Sequence, residues 1–371
     1  MVTVKIERLG ELFSGPGGIA LGAHYAADKN GVHLEHAWAN DYDADSVGTY
    51  LKNIPGASES SVICSDVRDL DFSEMSQITG LAFGFPCNDF SLVGEQKGVR
   101  GNYGPLYRSG VEALKALSPN WFVAENVGGI RSANEGNSFA QILSELSAAG
   151  NAGYQLTPHL YRFEQYGVPQ ARHRVVIVGI SNSLGLKFEP PSGAPFKDLD
   201  VSVRSALESP PIPASASNNE LTNQHPRVVA RLEAIAPGKN AFNSGLPEEL
   251  QLNVKGARLS QIYRRLHPDK PSYTVTGSGG GGTHVYHWEK PRALTNRERA
   301  RIQTFPDNFQ FVGGKGSVRR QIGMAVPVKG AEVIFDALFK TLNGVAYPTT
   351  SPNLESFHQQ AMRLLERLDF D

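Results

Sequence analysis

The sequence predicts an α/β protein built on a doubly wound, mostly parallel sheet, with a loop-rich second domain inserted into the chain. Residues 1–180 alternate short apolar runs with segments of helical periodicity, a pattern typical of strands joined by helices. Residues 186–226 are instead rich in proline, serine and asparagine and have little periodicity. A chain of 371 residues is long enough for both parts.

The first strands and helices follow from apolar runs and from residues that cap helices. The first strand runs into a glycine-rich turn at residues 12–18, and helical spacing starts directly after it. The second strand ends in acidic residues, where Asp43 or Asp45 caps the next helix. The apolar runs "SVICSDVRDL", "ITGLAFGF", "NWFVAENV" and "HRVVIVGI" predict further strands. In such a sheet the ligand site lies at the carboxyl ends of the strands.

The chain after a first domain at residues 1–182 divides into three parts. We expect residues 183–287 to form the inserted domain and residues 288–345 to return to the first one. Thr295 and Glu298 have the spacing of a capping box, and a long helix ends near Gly344. Residues 346–371 are expected to form a final helix that packs on the protein's own core.

The composition, with 40% hydrophobic and 20% charged residues, is that of a soluble globular protein. No apolar run is long enough to span a bilayer and no signal sequence is visible, so we expect a cytoplasmic protein without a membrane partner. The two cysteines form no disulfide framework, and no His/Cys cluster has the spacing of metal ligands. We therefore expect no metal site.

The net charge of −1 hides an uneven distribution of charge. Residues 1–80 carry 12 acidic and 5 basic side chains, a net charge of −7. Residues 255–301 carry 10 basic and 3 acidic side chains, a net charge of +7. The basic segment suits a polyanionic partner, and a solvated face with ion pairs is the alternative interpretation.

Three strand ends indicate a cofactor that contains adenosine. The glycine-rich turn after the first strand lets a ligand approach the main chain closely. Asp41, after the second strand, can accept hydrogen bonds from ribose hydroxyls, and Tyr42 can stack on adenine. Residues 65–67, after the third strand, add an acceptor for the adenine amino group. Ordinary turn residues are the alternative.

Cys87 is the candidate nucleophile. It lies between Pro86 and Asn88 just beyond a strand, whereas Cys64 lies within an apolar strand and is expected to be buried. A cysteine in such a loop can act as a nucleophile when neighbouring groups assist its attack. Glu125, at the end of another strand of the same sheet, is the candidate partner, with helix capping as its alternative role.

Six segments in this order resemble the motifs of the DNA (cytosine-5)-methyltransferase family of the bacterial modification type. They are "LFSGPGG", "GFPCNDFS", "ENV", "QYGVPQARHR", "RALTNRERARIQTFPDNF" and "QIGMAVPVKGAEVI", and together they extend over most of the chain. The resemblance implies a Rossmann-like fold and a methyltransferase activity that depends on S-adenosyl-L-methionine. It also implies that the variable region between residues 180 and 291 is a target-recognition domain.

The resemblance implies a mechanism with named residues. The thiolate of Cys87 would add to C6 of a cytosine, Glu125 would hydrogen-bond or protonate N3, and C5 would take the methyl group. Arg172 and Arg174 would lie near the flipped base and its phosphate. The implied cofactor contacts are Phe13, Gly15, Gly17, Gly18, Asp41, Tyr42, Asp66, Val67 and Leu106.

The implied substrate is double-stranded DNA, from which the target base must be flipped out. In the loop of residues 88–104, Gln96, Lys97 and Arg100 would contact phosphate or fill the vacated stack. The remaining candidate DNA contacts are Gln170, which we expect to order the arginine motif, and Arg264 and Arg265. We expect a monomer on DNA, with a cognate restriction endonuclease as a possible partner in the same system.

Two residues depart from the family pattern. Asn88 stands where many members have glutamine, and Met324 stands where asparagine is usual. Two alternatives follow: a tRNA cytosine-5 methyltransferase and a catalytically inactive DNA-binding relative. The recognition insert of about 100 residues favours duplex DNA, and the presence of Cys87 and Glu125 favours an active enzyme. An NAD-dependent enzyme would leave the cysteine, glutamate and arginine motifs unexplained.

Overall fold

The computed structural model describes residues 5–85, 106–252, 260–280 and 282–368. It divides into two compact units. Unit 1 comprises Met1–Arg162, His173–Pro195 and Gly330–Asp371, and unit 2 comprises Phe163–Arg172 and Phe196–Lys329. These units are defined by packing, so the functional domain boundaries after residues 182, 287 and 345 stay predictions.

The strands form a large sheet in unit 1 and a small one in unit 2. They are β1 Ile6–Leu12, β2 His33–Asp41, β3 Val62–Cys64, β4 Gly80–Gly84, β5 Trp121–Val127, β6 Tyr154–Arg162, β7 Gln170–Ala171, β8 His173–Ser181 and β9 Ser272–Tyr273. The sheet of unit 1 has the order β3-β2-β1-β4-β5-β8-β6 among the described residues. Its first five strands are parallel, whereas β8 is antiparallel to both β5 and β6. The mostly parallel, doubly wound sheet is thus confirmed.

The helices confirm the expected caps. They are α1 Gly18–Lys29, α2 Ala44–Asn53, α3 Tyr107–Leu117, α4 Asn137–Ser147, α5 Val203–Glu208, α6 Pro226–Glu233, α7 Asn296–Ile302, α8 Lys315–Met324, α9 Val328–Leu342 and α10 Glu355–Leu368. The Asp43 carboxylate accepts a hydrogen bond from the Ser46 N–H at 2.9 Å and caps α2. Thr295 and Glu298 form the capping box of α7. The structure describes no helix that is long and apolar enough to cross a membrane.

The structure differs from the sequence analysis at two strands. Sequence analysis named no strand over Tyr154–Arg162, the range of β6, which has Pro158 in its middle. The strand forms at the edge of the sheet, where only β8 is its neighbour and a missing N–H is tolerated. Cys64 is exposed rather than buried, because it ends the three-residue strand at the other edge of the sheet.

The core of unit 1 lies on both faces of its sheet. The Trp121 ring of β5 packs edge-on against Phe335 and Phe339 of α9, with ring centroids 5.7 and 6.1 Å apart. The Phe357 ring of α10 packs against Phe139 of α4 at 5.3 Å. The prediction that the C-terminal helix packs on the protein's own core is therefore confirmed.

Unit 2 is rich in loops and has a small core of its own. Leu232, Ile235, Tyr263, Tyr286 and Ala293 are among the buried residues of this core. Its two-stranded sheet pairs β7 with β9 in parallel. Most of the basic segment 255–301 that is described belongs to loops around this core and to α7.

Candidate active site

The strand order places the candidate site at the reversal between β1 and β4. Strands β2 and β3 extend from β1 in one direction, and β5 follows β4 in the other. A crevice opens at the carboxyl ends of the strands at such a reversal, and ligands bind there in open α/β sheets. The turn after β1, the acidic end of β2, the end of β3 and Glu125 of β5 all lie at this edge of the sheet.

The turn after β1 has main-chain torsions that depend on glycine. Gly15 and Gly17 have φ angles of 53° and 93°, and Phe13 has a φ of 54°. A Cβ atom at Gly17 would lie 2.7 Å from a side-chain atom of Ile54, so no larger residue fits there. Gly18 then begins α1 and is buried. The turn therefore packs closely on Tyr50 of α2 and on Ile54, while a Cβ atom at Gly15 would meet no other atom within 4 Å.

Asp41 links this turn to the end of β2. Its Oδ2 accepts a hydrogen bond from the Gly15 N–H at 2.8 Å, and its Oδ1 accepts one from the Asp43 N–H at 2.9 Å. Burial raises the pKa of Asp41, and hydrogen bonds from the main-chain N–H groups of Asp43, Gly15 and Tyr42 oppose that shift. A carboxylate has about four lone-pair positions, so acceptor capacity remains for ribose hydroxyls. The Tyr42 side chain beside it is 75% exposed, as a ring that stacks on a base must be.

The third strand end contributes a carboxylate that is ionised. The Asp66 carboxylate pairs with the Arg68 guanidinium at 2.5 Å, and this interaction lowers the pKa of Asp66 to about 2. Val67 is buried next to it, and Leu106 lies half-buried at the start of α3. An ionised carboxylate can accept a hydrogen bond from an adenine amino group, so these residues fit an adenosine-containing cofactor.

Glu125 and Arg174 form an ion pair at the ends of two neighbouring strands. The Arg174 Nε atom lies 2.7 Å from Glu125 Oε1. The Glu125 side chain is 13% exposed and the Arg174 side chain 12%. The pair is local to unit 1, because β8 runs antiparallel to β5 and brings Arg174 opposite Val127. Charge-assisted hydrogen bonds of this kind fix the orientation of a carboxylate.

The Glu125 carboxylate also lies against the end of β4. Gly84 pairs with Glu125 in the sheet register, and a Cβ atom at Gly84 would lie 3.3 Å from Glu125 Oε2. Asn126, which is 2% exposed, donates a hydrogen bond from Nδ2 to the Phe85 carbonyl at 3.2 Å. Asn126 thus holds the chain at Phe85, the last described residue before Cys87. Sequence analysis left Asn126 out of the site, although it stands within the "ENV" motif.

Four of the predicted site residues lie outside the described residues. They are Cys87, Gln96, Lys97 and Arg100. The chain enters this segment from Phe85, directly after the strand that neighbours Glu125. Asn88 lies in the same segment, whereas Met324 is described and is 65% exposed.

The other two residues of the arginine motif are buried within unit 2. Arg172 is 2% exposed and donates hydrogen bonds to the carbonyls of Val275 and Gly323 at 3.1 and 3.0 Å. Gln170 is fully buried, with its amide bonded to the Val275 N–H and the Gln303 side chain, each at 2.8 Å. Gln170 therefore orders its loop as expected, and its polar atoms are engaged within the protein. Contact of Gln170 with DNA has no support in these bonds, and a base or phosphate contact of Arg172 stays a prediction.

The two arginines expected to face DNA have different environments. Arg265 is 5% exposed and donates to the carbonyls of His287, Leu232 and Ile235 at 2.8–2.9 Å. The structure therefore gives Arg265 a structural role, and a contact with guanine has no support. The Arg264 guanidinium lies over the Tyr273 ring at 4.8 Å and is half-buried. The two adjacent arginines therefore differ in burial. Their identical charge in the sequence does not reveal this difference.

Residues 8–340 match the family described as C-5 cytosine-specific DNA methylase. The chain belongs to this family. It is an S-adenosyl-L-methionine-dependent DNA cytosine-5 methyltransferase, and the tRNA alternative lacks comparable support.

Similar proteins agree with this membership of the C-5 cytosine-specific DNA methylases. The type II methyltransferase M.BbvI of Brevibacillus brevis is 52% identical over 370 residues, which cover 97% of this chain and 98% of that protein. The type II methyltransferase M.NgoFVII of Neisseria gonorrhoeae is 40% identical over 86% of this chain and 83% of its own. The Dnmt2 methyltransferase of S. pombe shares the fold, with a TM-score of 0.59, 17% identity and coverage of 91% and 98%.

Proposed function

We propose that Cys87, Glu125 and Arg174 are the catalytic residues of this methyltransferase and act on a cytosine flipped out of duplex DNA. The ion pair of Glu125 and Arg174 carries the proposal, because it holds a carboxylate at 2.7 Å from a guanidinium at the carboxyl end of β5. The neighbouring strand β4 leads directly into the segment with Cys87. Nucleophile and carboxylate thus follow adjacent strands of one sheet.

The proposed reaction begins with addition of the Cys87 thiolate to C6 of cytosine. The electron pair of the C5=C6 double bond shifts to C4–C5 and the pair of C4=N3 shifts onto N3, where Glu125 stabilises the developing charge by a hydrogen bond or a proton. The resulting enamine is nucleophilic at C5, which would form a bond to the methyl carbon as the bond from that carbon to the sulfonium sulfur breaks and S-adenosyl-L-homocysteine leaves. Loss of the C5 proton to a base and elimination of the thiolate then restore the aromatic ring and Cys87. Arg174 orients Glu125 throughout.

The proposed cofactor contacts come from the three strand ends described above. Asp41 would bind the ribose hydroxyls, Tyr42 and Phe13 would contact the adenine ring, and Asp66 would accept from its amino group. The remaining proposed contacts are Gly15, Gly17, Gly18, Val67 and Leu106. When bound, S-adenosyl-L-methionine supplies an electrophilic methyl group on its sulfonium. The acceptor capacity left on Asp41 is the observation that supports this fit.

The proposed substrate is duplex DNA with a short recognition sequence. Flipping the target base out of the stack costs a few kcal/mol, which contacts to the displaced strand must offset. Gln96, Lys97, Arg100 and Arg264 are the proposed DNA contacts. We further propose a cytoplasmic type II modification enzyme that acts as a monomer beside a cognate restriction endonuclease. The names of its type II relatives support this part of the proposal.

A covalent trap tests the nucleophile. Duplex DNA with 5-fluorocytosine cannot lose the C5 substituent as a proton, so the wild-type enzyme and cofactor should form a stable adduct with DNA that carries the recognition sequence. Cys87→Ser should form none and should transfer no methyl group. Cys64→Ser is the matched control and should retain both properties, because Cys64 is exposed on the edge strand. Full activity of Cys87→Ser would contradict the assignment.

Expression in a host without cytosine methylation tests the substrate. We expect 5-methylcytosine at one short sequence motif in the DNA of cells that express the wild-type chain, and none with Cys87→Ser. The motif would also supply the duplex for the covalent trap. Unmethylated DNA alongside soluble wild-type protein would contradict the proposed function.

A further inference from the structure

Two arginines of unit 2 lie close together without an anionic partner among the described residues. Arg299 of α7 is 1% exposed, and only its Nη2 has a hydrogen bond, to His284 Nδ1 at 3.1 Å. Its Nε and Nη1 atoms are buried and have no hydrogen-bond partner. The same is true of Nε of Arg319 on α8. Buried guanidinium nitrogens are rarely left in this state, because each unmet N–H donor costs free energy.

The nearby carboxylate is already engaged by another arginine. Glu298 accepts hydrogen bonds from Arg292 at 2.7 and 2.8 Å and from the Thr295 N–H at 2.7 Å. Burial raises the pKa of the Tyr273 and Tyr286 phenols, so neither is an anion at neutral pH. Burial also lowers the pKa of His284 to about 4, which keeps the imidazole neutral. Among the described residues neither Arg299 nor Arg319 forms a salt bridge with a carboxylate, although the charge of Glu298 acts on Arg299.

The positive charge of Arg319 adds to the effect of burial on Arg299. Burial and then the charge of Arg319 lower the pKa of Arg299 to about 10, and Glu298 opposes both effects. Arg299 is still protonated at neutral pH. Two cations held together in a poorly solvated place favour an anion that can accept hydrogen bonds from both.

A glycine-rich turn lies directly against this pair. A Cβ atom at Gly279 would lie 2.4 Å from Nε and Cζ of Arg319, so a side chain there would displace the guanidinium. Gly280 follows with a φ of 109° and is exposed. Glycine in this turn therefore brings its main chain close to the guanidinium and adds no side chain that would cover it.

We propose that Arg299 and Arg319, beside the turn at Gly279, bind one phosphate group of the DNA backbone. Arg319 is half-exposed and would donate to the phosphate directly, while the buried charge of Arg299 strengthens the attraction. This site rests on the proposed action on duplex DNA and adds to it a backbone contact at two residues that sequence analysis did not assign to DNA. A guanine edge is the other acceptor that arginine binds, and the experiment separates the two.

The salt dependence of DNA binding tests the phosphate site. Dissociation constants of a random-sequence 30-base-pair duplex are measured between about 0.05 and 0.2 M NaCl. Each phosphate contact contributes about 0.9 to the slope of log affinity against log salt concentration, so Arg319→Gln should reduce the slope by about that amount. It should also weaken binding about tenfold at the lowest salt concentration. Arg319→Lys keeps the charge and should keep the wild-type slope.

Arg204→Gln is the matched control. It also removes a positive charge from unit 2, but Arg204 is exposed and already pairs with Asp269 at 3.1 Å. The control should leave the slope unchanged. An unchanged slope in Arg319→Gln, or an equal loss in Arg204→Gln, would overturn the proposal. A wild-type slope in Arg319→Gln combined with an altered methylated motif would assign the pair to a base instead.

The same protein preparations are assayed for methyl transfer to DNA from labelled S-adenosyl-L-methionine. This assay judges the proposed function separately from the phosphate site. Wild-type protein without methyl transfer contradicts the function whatever the slopes are. If the wild type transfers methyl groups and the salt-dependence slopes of wild type and Arg319→Gln are identical, only the phosphate site is contradicted.

Discussion

Three carboxyl groups at the carboxyl ends of the strands differ in their surroundings. Glu11 on β1 is fully buried, with the Tyr50 hydroxyl donating to its Oε2 at 3.0 Å, and burial raises its pKa to about 8. Asp41 accepts hydrogen bonds from main-chain N–H groups, and Glu125 is paired with a guanidinium. Burial raises the pKa of Asp41 against the effect of its main-chain donors, and burial keeps Glu11 as a neutral acid at neutral pH.

The neutral state of Glu11 predicts a pH dependence of stability. Burial raises the pKa of Glu11 from 4.5 to about 8, so the folded chain keeps a proton that the unfolded chain loses near pH 4.5. The contribution of Glu11 is thus fully present below pH 4.5 and is lost as the pH rises towards 8, because the unfolded state then binds fewer protons. Glu11→Gln removes the proton and keeps an acceptor for Tyr50. We expect this variant to gain stability over wild type at about pH 8 but not at about pH 5.

Thermal unfolding of both proteins from about pH 5 to 8 measures this difference. Glu59→Gln, at an exposed position, is the matched control and should follow the wild-type profile. Parallel profiles of wild type and Glu11→Gln would show that Glu11 is ionised in the folded state.

At the scale of elements, the register of β4 and β5 sets the space around the Glu125 carboxylate, for which a catalytic role is proposed. A Cβ atom at Gly84 would meet Glu125 Oε2 at 3.3 Å, a contact that requires one group to move by a few tenths of an ångström. Since Arg174 holds Oε1, the carboxylate cannot shift without weakening that pair. Gly84→Ala should therefore reduce kcat about tenfold while the protein stays folded.

Single-turnover methylation rates and unfolding temperatures test the Gly84 prediction together. Gly314→Ala adds the same methyl group where no atom lies within 4 Å, so its rate should equal that of wild type. An equal rate in Gly84→Ala would mean that Glu125 tolerates displacement or does not take part in the reaction.

The C-terminal helix α10 packs on the rest of unit 1 in part through the Phe357 ring. Phe357 packs on Phe139 of α4 and against Gly136, where a Cβ atom would lie 2.8 Å from the Phe357 ring. Phe357→Ala should lower the free energy of unfolding by about 2 kcal/mol, about half the effect of a fully buried phenylalanine. Urea unfolding measures it. Met362→Ala on the same helix is the control, because Met362 is 40% exposed and should have a small effect.

At the scale of the whole molecule, the two units carry opposite charge in their most strongly charged segments. The acidic residues 1–80, with a net charge of −7, belong to unit 1, and residues 255–301, with a net charge of +7, belong to unit 2. The proposed cofactor contacts lie in unit 1, and the positive segment in unit 2 suits the phosphate backbone. Cofactor binding and the sequence-independent part of DNA binding are therefore expected to depend on different units.

Two variants test this division of roles. Asp41→Asn removes the charged acceptor of the ribose and should weaken cofactor binding about tenfold, with the affinity for random-sequence DNA unchanged. Arg264→Gln should weaken binding to random-sequence DNA and leave the cofactor affinity unchanged. The Arg264 guanidinium is half-buried over Tyr273 and carries a charge suited to phosphate. Calorimetry with the cofactor and a DNA-binding titration measure the two affinities. Loss of both affinities in one variant would contradict the division.

The sequence by itself determined those features that depend on neighbours in the chain. The turn of residues 12–18, the Asp43 cap and the capping box of Thr295 and Glu298 are local, since their bonds join residues a few positions apart. The alternation of apolar runs predicted the sheet, and the order of the six motifs indicated the family. Glu125 was also predicted from its position at a strand end.

Only the tertiary structure decided which polar side chains are buried and what they contact. Arg265 and Gln170 were expected near DNA, yet distant carbonyl and amide groups engage them. Cys64 is exposed because its strand lies at an edge of the sheet, and β6 tolerates Pro158 for the same reason. The partner of Glu125 is Arg174, 49 positions away in the chain. Burial and ion pairing depend on residues far apart in sequence, and a single sequence does not state which distant residues meet.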